Sequence, residues 1–311
     1  MRRLLWIIPV LLLASCGSRH GGDESSSRAF PQVRVPSAVS EEDGMEYAAL
    51  HYWDEFIKGA DGRRTDSLSV AGVSMADMEK AAGTFASLVR IVPPKVATDA
   101  LVRLESSLDE KRDTALFKGV ASIIEKYLYD PQSPVRNEDA FGAFAKAASE
   151  STLLTEPERE AYARRASLAA LAPVGSVAPD FEFIDVKGRR RTLHGVRAEW
   201  TVLIFGNPDC EACRTIVGVI EEDEALSVSV KDGTISIIDI YVDEDIEAWM
   251  AAAGTFPKGW IVGYDPLQVI RSDSLYHLRA IPSIYLLDRD KTIILKDTPE
   301  EVLIEYLASI I

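Results

Sequence analysis

Two cysteines three residues apart, standing just after an apolar run, constrain this chain more than any other feature. Thr201-Val202-Leu203-Ile204-Phe205 is near-continuously apolar rather than alternating, the pattern of a strand covered on both faces. Gly206-Asn207-Pro208-Asp209 then turns the chain, and Cys210-Glu211-Ala212-Cys213-Arg214 opens a helix. At a helix start, free amide N–H groups and the helix dipole favour a thiolate on the first cysteine. The second lies about one turn further on, close enough to form a disulfide. Attack by the first thiol on a disulfide gives a mixed disulfide, and the second resolves it. The spacing therefore assigns Cys210 as nucleophile and Cys213 as resolving thiol.

Other uses of the pair fit less well. A zinc site needs about four ligands. The remaining cysteine is Cys16, and His20, His51, His194 and His277 show no paired spacing, so no metal is expected. A purely structural disulfide across so short a loop removes little chain entropy. A peroxidase of the Pro-x-x-x-Thr-x-x-Cys type would need a context that neither cysteine has. No organic cofactor is implied.

Around the pair the chain divides by pattern. From residue 173 to 311, β-rich runs alternate with helical segments: Phe181–Asp185, Trp200–Gly206, Ile235–Val242, Ile284–Leu287 and Ile293–Lys296. That order predicts an α/β domain, a central mixed sheet flanked by helices. Residues 37–172 instead predict an all-α domain of about six helices. Met78, Ala81, Ala82, Phe85, Leu88 and Val89 form one apolar stripe at helical spacing; Leu116, Val120, Ile123, Ile124, Tyr127 and Leu128 form another. Pro93-Pro94 and Asp130-Pro131 break the helices, and Thr155 before an acid-rich turn is an N-cap. His51 and Asp54, set among Tyr47, Tyr52, Trp53 and Phe56, read as part of a large apolar helix face rather than as a site. The formal net charge is -15 with acids spread along the chain, which leaves no basic patch for nucleic acid.

The first sixteen residues are an address. Met1-Arg2-Arg3 is positive, Leu4–Leu13 is an apolar stretch too short to span a bilayer, and Leu13-Ala14-Ser15-Cys16 follows. This run resembles the lipobox of bacterial lipoproteins. The resemblance implies that residues 1–16 are a signal peptide, that Cys16 is lipidated, and that the protein is membrane-anchored in the cell envelope, outside the cytoplasm. Residues 17–36, rich in Gly and Ser, read as a flexible tether. Gly17 is not the Asp that marks inner-membrane retention in some bacteria, which leans the expectation toward the outer membrane.

Further along, Tyr276-His277-Leu278-Arg279-Ala280-Ile281-Pro282-Ser283 resembles the thioredoxin loop whose cis-proline faces the redox pair. The resemblance implies that Ile281-Pro282 is cis and that the Ile281 backbone binds a substrate peptide. Ala178-Pro179-Asp180-Phe181 and a helical insert over Ile246–Ala253 narrow it to the TlpA/ResA-like branch. The helical segment, through Tyr52-Trp53-Asp54 and the domain order, resembles a helical domain of unknown function that precedes thioredoxin-like domains in Bacteroidetes lipoproteins. Together these imply an oxidoreductase exchanging disulfides with protein substrates, its electrons supplied by another thiol protein.

The chain departs from that family at three places. Asp209 stands where tryptophan is common, Ile204 where thioredoxin has a buried aspartate, and Ile216 where the TlpA/ResA branch often has glutamate. Glu221 and Glu222 lie later on the helix; Glu222 is the available substitute, and a solvated helix face is the other reading of both. The general base is thus unassigned. Glu211 and Asp209 oppose the helix dipole at the thiols while Arg214 works with it. Weaker thiolate stabilisation makes a poorer leaving group, so a reductase-leaning protein is expected. With no buried carboxylate in view, a second function class stays open: an envelope binding or scaffold lipoprotein with a redox-responsive or inactive thioredoxin-like domain.

Overall fold

The computed structural model describes residues 28–40, 43–272 and 274–310. The expected signal peptide over residues 1–16, with Cys16, and residues 17–27 of the expected tether lie outside the described residues. Arg28 and Phe30 are docked on the helical half, whereas residues 34–38 are exposed. Arg28 N–H donates to the Gly72 carbonyl at 2.9 Å, and Phe30 lies 5.3 Å from both the Trp53 and Phe56 rings.

The helical half runs α1 (Gly44–His51), α2 (Asp54–Lys58), β1 (Ser69–Val70), β2 (Val73–Ser74), α3 (Met75–Ile91), α4 (Pro94–Glu110), α5 (Thr114–Leu128), α6 (Glu138–Ala148) and α7 (Glu156–Ala169). Its helix starts are written in the sequence. Ser74, Asp113 and Asn137 cap α3, α5 and α6 by accepting backbone N–H bonds, and Thr155 with Glu158 closes a capping box on α7. The two expected apolar stripes face inward: Met78, Phe85 and Val89 pack with Leu116, Val120 and Ile124. The hairpin β1–β2 is the departure from an all-α reading. Two-residue strands carry no periodicity, so nothing in the local pattern reveals them. His51 and Asp54 are a structural tie: His51 Nδ1 lies 2.7 Å from Asp54, whose carboxylate also takes Arg103 of α4 at 2.8 Å.

The second half is a seven-stranded mixed sheet. Its elements are β3 (Glu182–Asp185), β4 (Arg190–Thr192), β5 (Trp200–Gly206), α8 (Glu211–Glu222), α9 (Glu224–Asp232), β6 (Ile235–Tyr241), α10 (Ile246–Ala252) with a 3-10 turn (Ala253–Thr255), β7 (Ile261–Tyr264), α11 (Val269–Ser272), β8 (Ser283–Leu287), β9 (Ile293–Leu295) and α12 (Glu300–Ala308). The strand order is β4-β3-β7-β6-β5-β8-β9, with β5, β6 and β7 mutually parallel and the other pairs antiparallel. Side chains alternate between two cores. Leu203, Phe205, Ile238, Ile240 and Tyr285 pack on one face, while Val202, Ile204, Ile235, Ile237, Ile284 and Leu286 meet α8 and α12 on the other. Two strands escape a reading by pattern. Arg190-Arg191-Thr192 is a polar edge, and β7 contains Gly263, where a β-carbon would stand 2.5 Å from Phe183.

The halves are joined by a buried ionic cluster. Glu138, at the start of α6, receives His277 Nδ1 at 2.5 Å, Lys296 Nζ at 3.0 Å and Arg279 Nε at 3.3 Å. Burial works to raise the Glu138 carboxyl, but the His277 hydrogen bond and the Lys296 and Arg279 charges outweigh it and hold it below the usual range. Asp297 takes Arg279 and, more distantly, Arg136, and accepts from the Ser283 hydroxyl at 2.9 Å. Removing one member of such a cluster leaves buried charge uncompensated. Glu138→Ala is therefore expected to cost about 3–5 kcal/mol. Urea unfolding would show this as a lower midpoint, and an unchanged midpoint would remove the cluster from the account.

Candidate functional site

The site forms where β5 ends. Gly206 closes the strand, Asn207 Oδ1 accepts the Asp209 N–H at 2.8 Å, and the Asn207 carbonyl accepts the Cys210 N–H at 3.1 Å. This tight turn sets Cys210 at the N-cap of α8. There its sulfur, rather than an oxygen, accepts the Cys213 N–H, at 3.2 Å. A thiolate at that atom meets the positive end of the helix, which is the electrostatic requirement for a nucleophilic cysteine. Both cysteines are free thiols; Cys210 is half-buried and Cys213 is buried. Asp243, just after β6, braces the turn by accepting from Asn207 Nδ2 at 2.6 Å while pairing with Arg271 at 3.2 Å.

Across from Cys210 lies the loop before β8. Its Ile281-Pro282 peptide is cis, and the Ile281 carbonyl stands 3.7 Å from Cys210 Sγ. The structure thus brings Cys210, Cys213, Ile281 and Pro282 together, although they are separated by about seventy residues of sequence. Asp209 and Glu211 are exposed at the helix start, and Arg214 donates to the Pro208 carbonyl at 2.7 Å. Glu222 is exposed near the far end of α8.

Sequence reasoning sought a buried carboxylate at position 204 and found isoleucine. The sheet supplies one from the next strand: Asp239 of β6 is in register with Ile204. It stands on the same face as Ile235 and Ile237, 5% exposed, in a layer otherwise aliphatic. Asp239 Oδ2 and Cys213 Sγ lie 3.6 and 3.7 Å from the point where a β-carbon on residue 206 would sit. Glycine at 206 therefore leaves open the space that the two groups share. Burial pushes the Asp239 carboxyl up to about 7. The Cys213 thiol is also pushed up, by burial first, then by its hydrogen bond with Cys210, with the Asp239 charge adding to the effect. The signal that could have found Asp239 is a lone acid inside the apolar run Ile235–Val242, since a charge in a strand buried on both faces needs a reason.

A cavity of about 350 Å³ leads from Cys213 and Asp239 out between α8 and the α10 segment, past Val217, Gly218, Glu221 and Phe256. Asp239 and Cys213 both line it, so neither is sealed from this cavity. Among the described residues, no group of three or more His, Cys, Asp or Glu side chains is arranged to hold a metal. The chemistry available is that of two thiols and a carboxyl that titrates near neutrality.

Comparison with known proteins agrees with the fold. Residues 15–171 match the model of a family described as a domain of unknown function, DUF5106. A thioredoxin-like protein from Bacteroides caccae is 30% identical, with a TM-score of 0.76 over 91% of this chain and 99% of that one. A conserved protein of unknown function from Bacteroides fragilis is 41% identical over 43% of this chain and 98% of its own, with a TM-score of 0.43. The thioredoxin domain of a thiol-disulfide oxidoreductase from Bacteroides vulgatus is 22% identical over 44% of this chain and 97% of its own, with a TM-score of 0.39. No curated protein matches the chain.

Asp239 has a thermodynamic signature. Its folded value is raised above that of a free aspartate, so the folded state holds the proton more tightly. Both states are protonated below about pH 4, and there the group costs nothing. The penalty grows as pH rises toward about 7 and is constant above, at roughly 4 kcal/mol by 1.36 kcal/mol per pH unit. Asp239→Asn should therefore stabilise the protein near pH 8 and leave it unchanged near pH 4. Thermal unfolding at the two pH values checks this, and a pH-independent difference would contradict it.

Proposed function

The chain belongs to the DUF5106 family and carries a thioredoxin-like second half, and from that premise we propose that it is a thiol–disulfide oxidoreductase acting on protein disulfides. The observation that carries this is the arrangement at α8: an N-cap sulfur facing the Ile281 carbonyl, with a buried thiol and a buried carboxyl behind it. Cys210, as thiolate, attacks a substrate disulfide; the S–S bond breaks and the leaving sulfur takes a proton. The Cys213 thiol then gives its proton to Asp239 and attacks the Cys210 sulfur. Reduced substrate leaves, and a Cys210–Cys213 disulfide remains. A reducing thiol protein returns it to the dithiol, and Asp239 sheds its proton through the cavity beside Gly218.

A carboxyl titrating near 7 suits this role, because proton transfer is most effective when the base is poised near the working pH. The ground for a purely scaffolding reading was the missing base, and Asp239 removes that ground. The direction we propose is reductive: Asp209, Glu211 and Asp239 all place negative charge around the thiols, which disfavours the thiolate as a leaving group. The same proposal places the protein outside the cytoplasm, in the cell envelope, held by a lipid on Cys16 and reaching substrates there.

Insulin reduction driven by a small dithiol tests the assignment. Cys210→Ser should abolish turnover, and Cys213→Ser should accumulate mixed disulfides. Asp239→Asn should lower turnover near pH 7 by about 10²-fold or more. Full activity in the Cys210 variant would overturn the function, and an unaltered rate and pH profile in the Asp239 variant would overturn the base.

A further inference from the structure

The helical half reaches the same loop that faces Cys210. Lys296 Nζ, just after β9, donates to the Ala169 carbonyl at 2.7 Å and the Leu171 carbonyl at 2.8 Å, and it also pairs with Glu138 and Asp139. It thereby pins the end of α7. Glu138 holds the loop itself through His277 and Arg279. Between these two fixed elements lies an open groove of about 420 Å³. Leu168 and Leu171 form one wall, and the stretch from His277 to Ile281 forms the other.

The groove starts at Ile281, whose carbonyl is 3.7 Å from the thiol. A substrate chain that passes over Ile281 beside its cysteine, as the proposed function requires, would continue into this groove. Leu168, Leu171, Leu278 and Ile281 are all only partly buried there, and covering them would release apolar surface from water. Arg271, His277 and Arg279 also line the groove, each already paired with a carboxylate behind it, and no acid is among the described lining residues to receive a cation, so a basic side chain laid on the leucines would lose hydration without gaining a partner.

We propose that Leu168 and Leu171 of the helical half form a substrate subsite, which takes an apolar side chain next to the reactive cysteine of an extended polypeptide and disfavours a basic one. The inference rests on the redox reading above and adds a specificity to it: the DUF5106 half completes the substrate site. A covered subsite of this kind discriminates at the mixed-disulfide step, when the Cys210 sulfur bonds to the substrate sulfur and the other sulfur departs.

The test uses the full chain with Cys16→Ser and Cys213→Ser, so that Cys210 is the sole thiol. Two short peptides, each with its cysteine activated as a thionitrobenzoate disulfide, carry either Leu or Lys at the flanking positions. Attack by Cys210 forms the peptide–Cys210 disulfide and releases thionitrobenzoate, whose absorbance gives the second-order rate constant. The Leu peptide should react about tenfold faster or more, in line with one apolar side chain in a pocket. Leu168→Glu with Leu171→Glu should erase that preference while leaving the rate with the free dinitrobenzoate disulfide unchanged. Leu168→Gln with Leu171→Gln, a milder pair, should do the same if the charged pair disturbs folding. An equal preference in the variants, or none in the parent, overturns the subsite. No release from the small disulfide itself overturns the redox reading, and the subsite falls with it.

Discussion

Everything distinctive about this site follows from one buried carboxyl beside one buried thiol. Asp239 and Cys213 face each other across the space left by Gly206, in a layer made otherwise of isoleucine, valine and leucine. Burial raises both, and the Asp239 charge adds to the cost of ionising Cys213. Neither charge is held there cheaply, so at neutral pH burial favours the protonated thiol and a carboxyl poised to gain or lose its proton. The fold bears this as a stability penalty above neutral pH, the usual trade at a functional site.

The sheet makes the arrangement possible. The parallel pairing of β5 and β6 puts residue 239 beside residue 204, and the β5–α8 turn delivers Cys213 over the same spot. A carboxylate can therefore reach the resolving thiol from either strand. On the other side of α8, the cis peptide before β8 sets the Ile281 carbonyl against Cys210. The helical half fixes that loop through Glu138, which ties the geometry around Cys210 to the packing of the other half of the chain.

How much of this was legible depended on how local each signal is. Trp200–Gly206 is readable as a buried strand because seven neighbouring residues agree, and the cysteine pair and Pro282 are readable because their residue types are scarce and positionally restricted. The Thr155 cap is readable because its side chain stands beside the amides it serves, and the caps at Ser74, Asp113 and Asn137, which went unread, are of the same local kind. Asp239 was not legible as a partner of Cys213, because their meeting depends on which strand lies beside β5. The Glu138–His277 contact spans 139 residues, and no pattern within either helix or loop announces it. The polar edge strand β4 and the short β1–β2 hairpin lack the alternation by which strands are read.

On the proposed function, Cys210 and Cys213 interconvert between dithiol and disulfide under control of the acids around them. An equilibrium titration against dithiol–disulfide buffers, with free thiols alkylated and counted by mass, measures this directly. The expected result is one cooperative two-electron transition confined to Cys210 and Cys213, with a midpoint nearer the reducing value of about -270 mV than the strongly oxidising one of about -120 mV. Failure of the pair to close, or a midpoint at the oxidising end, would contradict the account.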